Sequence, residues 1–447
     1  MPEDHLHPLS DAESVDQLIQ YGHTLIELRR YQDAENHFAT VAARHPQDWR
    51  SHYYLALARL SQADDDHTEK AQDGLKEAAR AVGLQPDHAS CHFLLSLGYL
   101  LSHKYQQALD SAHSGMRLDP EDPWGYSLVA QVHLVKREWQ KALLAADTGL
   151  RIDPEYSSLL NSRAEALIML GKKDEATAAV QLALEHDPSS ARSHANKGWL
   201  ALYQNQTAQA IQHFRDAMRL DPTSESGRSG LMTALQARNP LYRLILRYYL
   251  WTSRLTHNEF WAGIVLISGF NRLLRVAARA FPPLLIIVLP YLLLFALFSY
   301  FTWVADSIFN YMTRLSPTGR LILSKDEKWS ANGCAFLGSV FAINTAAFIM
   351  IVFTNFDAFS KLWVFFLGAA ISAGMMVPMS GFFKIEPRYK KQRTLLLVIA
   401  ILMGSCGICA WAGSFTLQPW HGVALFGFIC SMIIYPWIGN LAITSTR

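Results

Sequence analysis

Cys406 and Cys409 have the C-x-x-C spacing that soluble proteins use for dithiol chemistry or metal binding. Here the pair lies inside an uncharged apolar run, among Gly, Ile and Ala. That setting reads as small side chains buried at a helix interface, and no disulfide is expected. His5 and His7 lie on a polar stretch and suffice only for adventitious metal binding. Asp64, Asp65, Asp66, His67 and Glu69 form an acidic insert that reads as a solvated turn. The phosphate-loop, H-E-x-x-H and G-x-S-x-G patterns do not occur in the sequence. The expectation is a non-catalytic protein without a cofactor or a metal site.

The elements around these residues fall into two halves of opposite character. Through Arg238 there are 23 Lys and Arg against 32 Asp and Glu, a net charge of −9. From Asn239 onward there are 17 against 6, a net of +11. The chain opens on acidic and polar residues, with neither the basic nor the apolar region of a secretory signal. The first half is therefore expected to stay in the cytoplasm.

That first half repeats itself. The stretches YQDAENHFATVAARHP, YQQALDSAHSGMRLDP, WQKALLAADTGLRIDP, KDEATAAVQLALEHDP and TAQAIQHFRDAMRLDP share one pattern. Pro86, Pro120, Pro154, Pro188 and Pro222 are each 34 residues apart, and Pro46 precedes Pro86 by 40, which accommodates a six-residue insert. Apolar residues at helical spacing, small residues between them and a closing proline describe a helical hairpin. One hairpin cannot bury its apolar face alone, so copies must stack.

This period and pattern resemble the tetratricopeptide repeat (TPR) family, as six units over residues 15–224. The resemblance implies an all-α superhelical solenoid, with residues 1–14 a flexible terminus and residues 225–238 a capping helix. It also implies a concave groove, lined by the first helix of each hairpin, that binds another protein. Carried onto this chain, the groove residues are Arg50, Tyr53, Leu57, Phe93, Leu97, Trp124, Gln131, Asn161, Glu165 and Trp199. Family members that hold a C-terminal carboxylate use a Lys/Asn/Arg clamp. Ile19 and His23 stand at its first positions here, so that clamp is absent.

The second half contains five charge-free runs, at residues 281–305, 334–354, 362–383, 395–417 and 422–441. Each is long enough to cross a bilayer as a helix. Residues 281–447 are thus expected to form a multi-pass transmembrane domain of four or five hydrophobic helices. With five crossings the basic loops fall opposite the repeats, against the positive-inside tendency. Four crossings, with residues 281–305 half-inserted around Pro282, Pro283 and Pro290, remove that conflict. No Asp, Glu, Lys or Arg occurs within the runs, which weighs against an ion or proton pathway. Asn344 is expected to bond between helices, and Gly368, Ser372 and Gly374 to allow close helix contact.

Between the halves, residues 239–280 combine aromatic anchors with arginines. At about 100° per residue, Arg243, Arg247 and Arg254 share one helix face, and Arg272, Arg275 and Arg279 share another. Such a segment is expected to lie on the membrane surface as a basic collar drawn to anionic lipid. The junction ARNPLYR and the loop TGRLILS resemble bacterial inner-membrane TPR proteins, which implies a bacterial inner membrane. The functional expectation is a membrane-anchored scaffold whose groove binds a partner protein, with the bilayer as its other partner and no nucleic acid. The alternative is a membrane enzyme or transporter regulated by its repeats. Against it, the short loops offer a single acidic residue, Asp357.

Overall fold

The computed structural model describes residues 14–63, 68–315, 317–354, 359–383, 390–416 and 420–445. His5, His7, Asp64, Asp65, Asp66, His67, Asp357, Lys384 and Arg388 lie outside the described residues. Contacts divide the chain into two compact units. The first comprises residues 1–204, 212–227 and 252–258; the second comprises residues 205–211, 228–251 and 259–447. Among the described residues there are helices and no strands.

The first unit is built from six helical hairpins. They are α1 (Val15–Glu27) with α2 (Tyr31–Arg44), α3 (Trp49–Leu60) with α4 (Thr68–Leu84), and α5 (Ala89–Leu101) with α6 (Tyr105–Leu118). Next come α7 (Pro123–Val135) with α8 (Trp139–Gly149), α9 (Ser157–Leu170) with α10 (Lys173–His186), and α11 (Ala191–Tyr203) with α12 (Thr207–Leu220). Small residues set the spacing inside each pair. Ala34, Ala108, Ala142 and Ala176 on the second helices are fully buried, as are Ala56, Ser96, Ala130 and Ala164 on the first helices. Ser96 stays satisfied there because its hydroxyl donates to the Ala108 carbonyl at 2.8 Å.

The repeated Asp-Pro explains how one hairpin hands over to the next. Asp119, Asp153, Asp187 and Asp221 each accept a bond from the backbone N–H two residues on, an Asx turn that stops the second helix. A further device ties the next helix to that turn. His52, His92, Tyr126 and His194 each donate a side-chain hydrogen to the carbonyl of the proline six residues back, at 3.2, 2.7, 3.2 and 3.1 Å. The turn inside each hairpin recurs as well. Arg29, His103, Arg137, Gly171 and Asn205 all hold a left-handed backbone, with φ between 57° and 74°. Glycine adopts that conformation without strain, so Gly171→Ala should lower stability by about 1 kcal/mol. Thermal unfolding followed by circular dichroism measures the loss.

A polar network joins α2, α3 and α4. Glu35 accepts from Arg59 at 3.1 Å, Gln62 at 3.0 Å and Lys70 at 2.9 Å. Burial alone would raise its pKa, but the bonds from Lys70, Arg59 and Gln62 outweigh burial and hold it below 4.5. A carboxylate with a depressed folded-state pKa contributes stability above its unfolded value and loses it as the pH falls through the folded one. Glu35→Gln should therefore lower the melting midpoint at pH 7. The gap from the parent chain should shrink as the pH drops below about 4.5, the ordinary value. Melting curves at pH 7, 5 and 3.5 read this out.

The second unit holds most of α13 (Glu225–Gln236) and of α14 (Pro240–Arg254), then α15 (His257–Ala280) and α16 (Leu285–Arg314). After the short α17 (Pro317–Ile322) it continues with α18 (Lys325–Thr354), α19 (Phe359–Phe382), α20 (Lys390–Thr416) and α21 (Trp420–Ser445). Among the described residues, five helices are long and apolar enough to span a membrane: Trp261–Ala280, Pro282–Arg314, Lys325–Met350, Val364–Phe382 and Lys391–Ala412. Four match the charge-free runs. Trp261–Ala280 joins them, although the sequence reading assigned it to the surface collar, while Val423–Pro436 is a shorter apolar helix. Residues 285–314 form one uninterrupted helix through Pro290, with no break that would turn the chain back.

Val304, Cys334, Met376, Val377, Leu396 and Tyr435 make the core of this unit. Ser307 bonds Ser330 at 2.6 Å and Ser380 at 2.8 Å, while the Ser380 hydroxyl also faces the Trp303 carbonyl at 2.7 Å. A side chain added at Gly439 would collide with Trp303, and one added at Gly381 would crowd Tyr435 and Trp303. Asn344 corrects an expectation: its amide donates to the Val340 carbonyl of its own helix at 2.9 Å. Its carbonyl oxygen packs over Gly368, so the small residue there does allow the close contact that was expected. Cys406 lies against Gly427 and Cys409 is exposed; both thiols are free.

Within this unit α14 lies against α16, and the end of α13 reaches it. Gln236 donates to Asn310, Tyr242 packs edge-on against Phe309 at 4.8 Å, and Tyr249 donates to the Thr302 carbonyl at 2.7 Å. Arg228 bonds Glu327 and the Ile322 carbonyl, both at 3.2 Å. The expected capping helix thus contributes most of its length to the second unit, because its polar face finds partners there.

Candidate functional site

Successive first helices lie against one another along the repeats, α1 on α3, α3 on α5 and so on to α11. Successive second helices do not pair in the same way among the described residues, so the first helices form the inner, more closely packed side. Of the residues expected to line it, Leu57, Leu97, Trp124, Gln131, Glu165 and Trp199 are half-buried on this side. Tyr53, Leu57, Leu97, Leu101 and Trp124 gather into one apolar patch across α3, α5 and α7. Trp124 stands edge-on to Phe93 at 5.6 Å. Burial pushes the Tyr53 phenol well above its ordinary pKa, so its hydroxyl stays protonated.

From α7 onward the same side turns polar. Gln131 donates to Ser127 at 3.0 Å and Ser158 at 3.3 Å. Arg192 pairs with Glu165 at 3.2 Å. Trp199 packs on Phe214 at 5.3 Å and donates its indole hydrogen to Ser226 at 3.2 Å. Arg50, at the other end, is held by Asp48 at 3.1 Å and Asp16 at 2.7 Å. An apolar patch flanked by paired charges and amides can seat aromatic or aliphatic side chains of a peptide and bond its backbone.

Two expected groove residues do not reach the surface. Phe93 is 0% exposed, and a side chain added at Gly125 or Gly115 would strike its ring. Asn161 is 3% exposed, and its side chain bonds Ser193 at 3.0 Å and Asn196 at 3.1 Å between α9 and α11. Both side chains lie in the helix-to-helix seam. Cys91 is buried there too; burial pushes its thiol up to about 12, which leaves it unreactive.

The basic collar is also redrawn. Arg247, Arg272, Arg275 and Arg279 are exposed, Arg243 is half-buried, and Arg243 and Arg275 bond backbone carbonyls at 3.2 and 3.1 Å. Arg254 belongs with the repeats. Its guanidinium lies 4.4 Å over the Tyr203 ring and its carbonyl accepts from the Trp139 indole at 2.9 Å. Neighbouring Ser253 bonds the Tyr203 hydroxyl at 3.0 Å. Nothing local in the sequence signals this, since Trp139 is 115 residues away in the chain.

A family model described as tetratricopeptide repeat matches residues 22–89, 128–191 and 161–225. Those residues are TPR repeats. Solved structures resemble the chain over similar lengths. A TPR protein of Parabacteroides merdae is 14% identical, with 51% of this chain and 86% of that one covered at a TM-score of 0.43. The pilF protein of Pseudomonas aeruginosa is 17% identical, with 48% and 95% covered at 0.38. A chain of the Cut9–Hcn1 hetero-tetramer of the APC/C is 16% identical at 0.42; the match covers 50% of this chain and only 43% of that one. These scores carry no argument beyond the family match. No curated protein matches the chain. A TPR fold suggests a protein-interaction scaffold.

Proposed function

We propose that this chain is a membrane-anchored, non-catalytic adaptor whose TPR repeats hold a segment of a partner protein against their inner face. The observation that carries the reading is the half-buried patch of Leu57, Leu97 and Trp124 on three adjacent first helices. Half-buried aromatic and aliphatic groups on a rigid scaffold are what interface hot spots are made of. The polar run Gln131, Glu165–Arg192 and Trp199 continues it and supplies backbone-bonding groups. The apolar helices of the second unit anchor the repeats in a bacterial inner membrane, with the repeats in the cytoplasm. Arg247, Arg272, Arg275 and Arg279 face the anionic headgroups.

Two measurements test the halves of this reading separately. Alkaline carbonate extraction of membranes should leave the full chain in the pellet, and release into the supernatant would refute the anchor. Copurification from gentle detergent should recover a partner with the parent chain and lose it with Leu57→Asp/Leu97→Asp. Recovery of the same proteins by both would refute the groove.

A further inference from the structure

We propose that His194, His213 and Asp216, on the last hairpin, form a binding site for a divalent metal ion of the zinc class. His194 stands on α11, while His213 and Asp216 stand three residues apart on one face of α12. One donor atom from each of the three lies within 4.8 Å of the others. The two imidazole rings are 5.8 Å apart, centre to centre.

The proton positions follow from the geometry. A backbone carbonyl only accepts, so the 3.1 Å contact to the Pro188 carbonyl places the hydrogen of His194 on Nε2. Its Nδ1 then carries the free lone pair, and that atom is buried without a hydrogen-bond partner. Nδ1 of His213 is buried without a partner as well. Two buried ring nitrogens without a partner are a cost in the metal-free protein. A bound cation supplies the missing partner to both.

The Pro188 carbonyl does for His194 what an outer-shell carbonyl does for a metal-bound histidine: it fixes the tautomer and the ring orientation. Imidazole nitrogen and carboxylate oxygen together suit zinc and its first-row neighbours rather than calcium or magnesium. Tetrahedral zinc with bonds of about 2.0–2.1 Å needs donors roughly 3.3 Å apart, so the half-buried side chains must rotate inward on binding. Asp216 is held meanwhile by a 3.8 Å ion pair to Arg219, which is 79% exposed and gives way easily. Three protein donors leave a fourth position for water or a ligand side chain.

The same hydrogen bond to a closing proline is made by His52 and His92. His52 turns its other nitrogen to Glu77 at 2.7 Å, so the bond to proline alone does not make a site. Only the last hairpin brings a second histidine and a carboxylate together, among the described residues.

The test uses full-length protein in detergent, freed of metal, with His5 and His7 replaced by alanine to remove a second closely spaced histidine pair of the sequence. Titration with Co²⁺ and Zn²⁺ should show one ion per chain at micromolar concentration, and Zn²⁺ should raise the melting midpoint. His213→Gln and Asp216→Asn should each weaken binding at least tenfold and abolish the Zn²⁺-dependent rise, while both variants keep the parent midpoint without metal. Binding below one ion per chain, or binding unchanged in His213→Gln, overturns the site.

Discussion

Phe93→Ala should destabilise the repeats by about 3–5 kcal/mol, the range for an aromatic ring deleted from a closed core. The ring is fully buried and packs against Gly115, Gly125 and Trp124, between the third and fourth hairpins. Those neighbours have little to move inward. Both glycines lack a side chain, and Ala108 and Ala112 beside them are fully buried already. The vacated volume therefore stays as a cavity. Urea unfolding followed by far-ultraviolet circular dichroism should show an earlier midpoint and an unchanged slope. A loss below about 1 kcal/mol would place Phe93 at a surface and restore it to the groove.

Trp124→Ala should weaken partner binding by about 2 kcal/mol, roughly 30-fold in Kd, because a half-buried tryptophan in an apolar patch is the typical hot spot. The patch it completes spans three helices, with Leu57 on α3 and Leu97 on α5. Some stability will go too, since Trp124 leans on Phe93. The two effects separate by measurement: calorimetric titration with the partner's bound segment gives affinity, and thermal unfolding without it gives stability. A variant that unfolds earlier yet binds normally would make Trp124 a packing residue only.

The architecture of the first half was legible because a stacked hairpin must repeat its spacing. The 34-residue interval of Pro86, Pro120, Pro154, Pro188 and Pro222 marks the hairpin ends that the structure shows. The groove was less legible, for a geometric reason. Residues seven apart on a helix, such as Arg50 and Leu57, differ by about 20°, whereas the residue three after the first lies roughly 60° away. That rotation is enough to turn Phe93 and Asn161 from the open face into the seam with the next helix. A sequence pattern marks both positions as inward without telling seam from surface.

The histidine bonds to the closing prolines were present in the sequence as His52, His92 and His194, each six residues after a proline. Aligning the repeats on that position would have exposed them, and with them His194 of the proposed metal site. Arg254 was beyond such reading. Its spacing with Arg243 and Arg247 is that of one helix face, and α14 does contain all three. The contact with Tyr203 is decided by packing between segments 51 residues apart. The two apolar assignments divide likewise: long runs without charge are plain in the sequence, while Trp261–Ala280 reads as a surface helix because its apolar run is short and arginines flank it.

The account stands most directly on the inner face of the repeats holding a partner segment in the cell. A photoreactive amino acid placed singly at Leu97, Gln131 or Trp199 tests this, with Leu144, 67% exposed on second helix α8, as the control. Irradiation of living cells should join one and the same partner protein to all three inner positions and leave Leu144 unlinked. Adducts of equal yield and identity at Leu144, or none at the inner positions, would contradict the account.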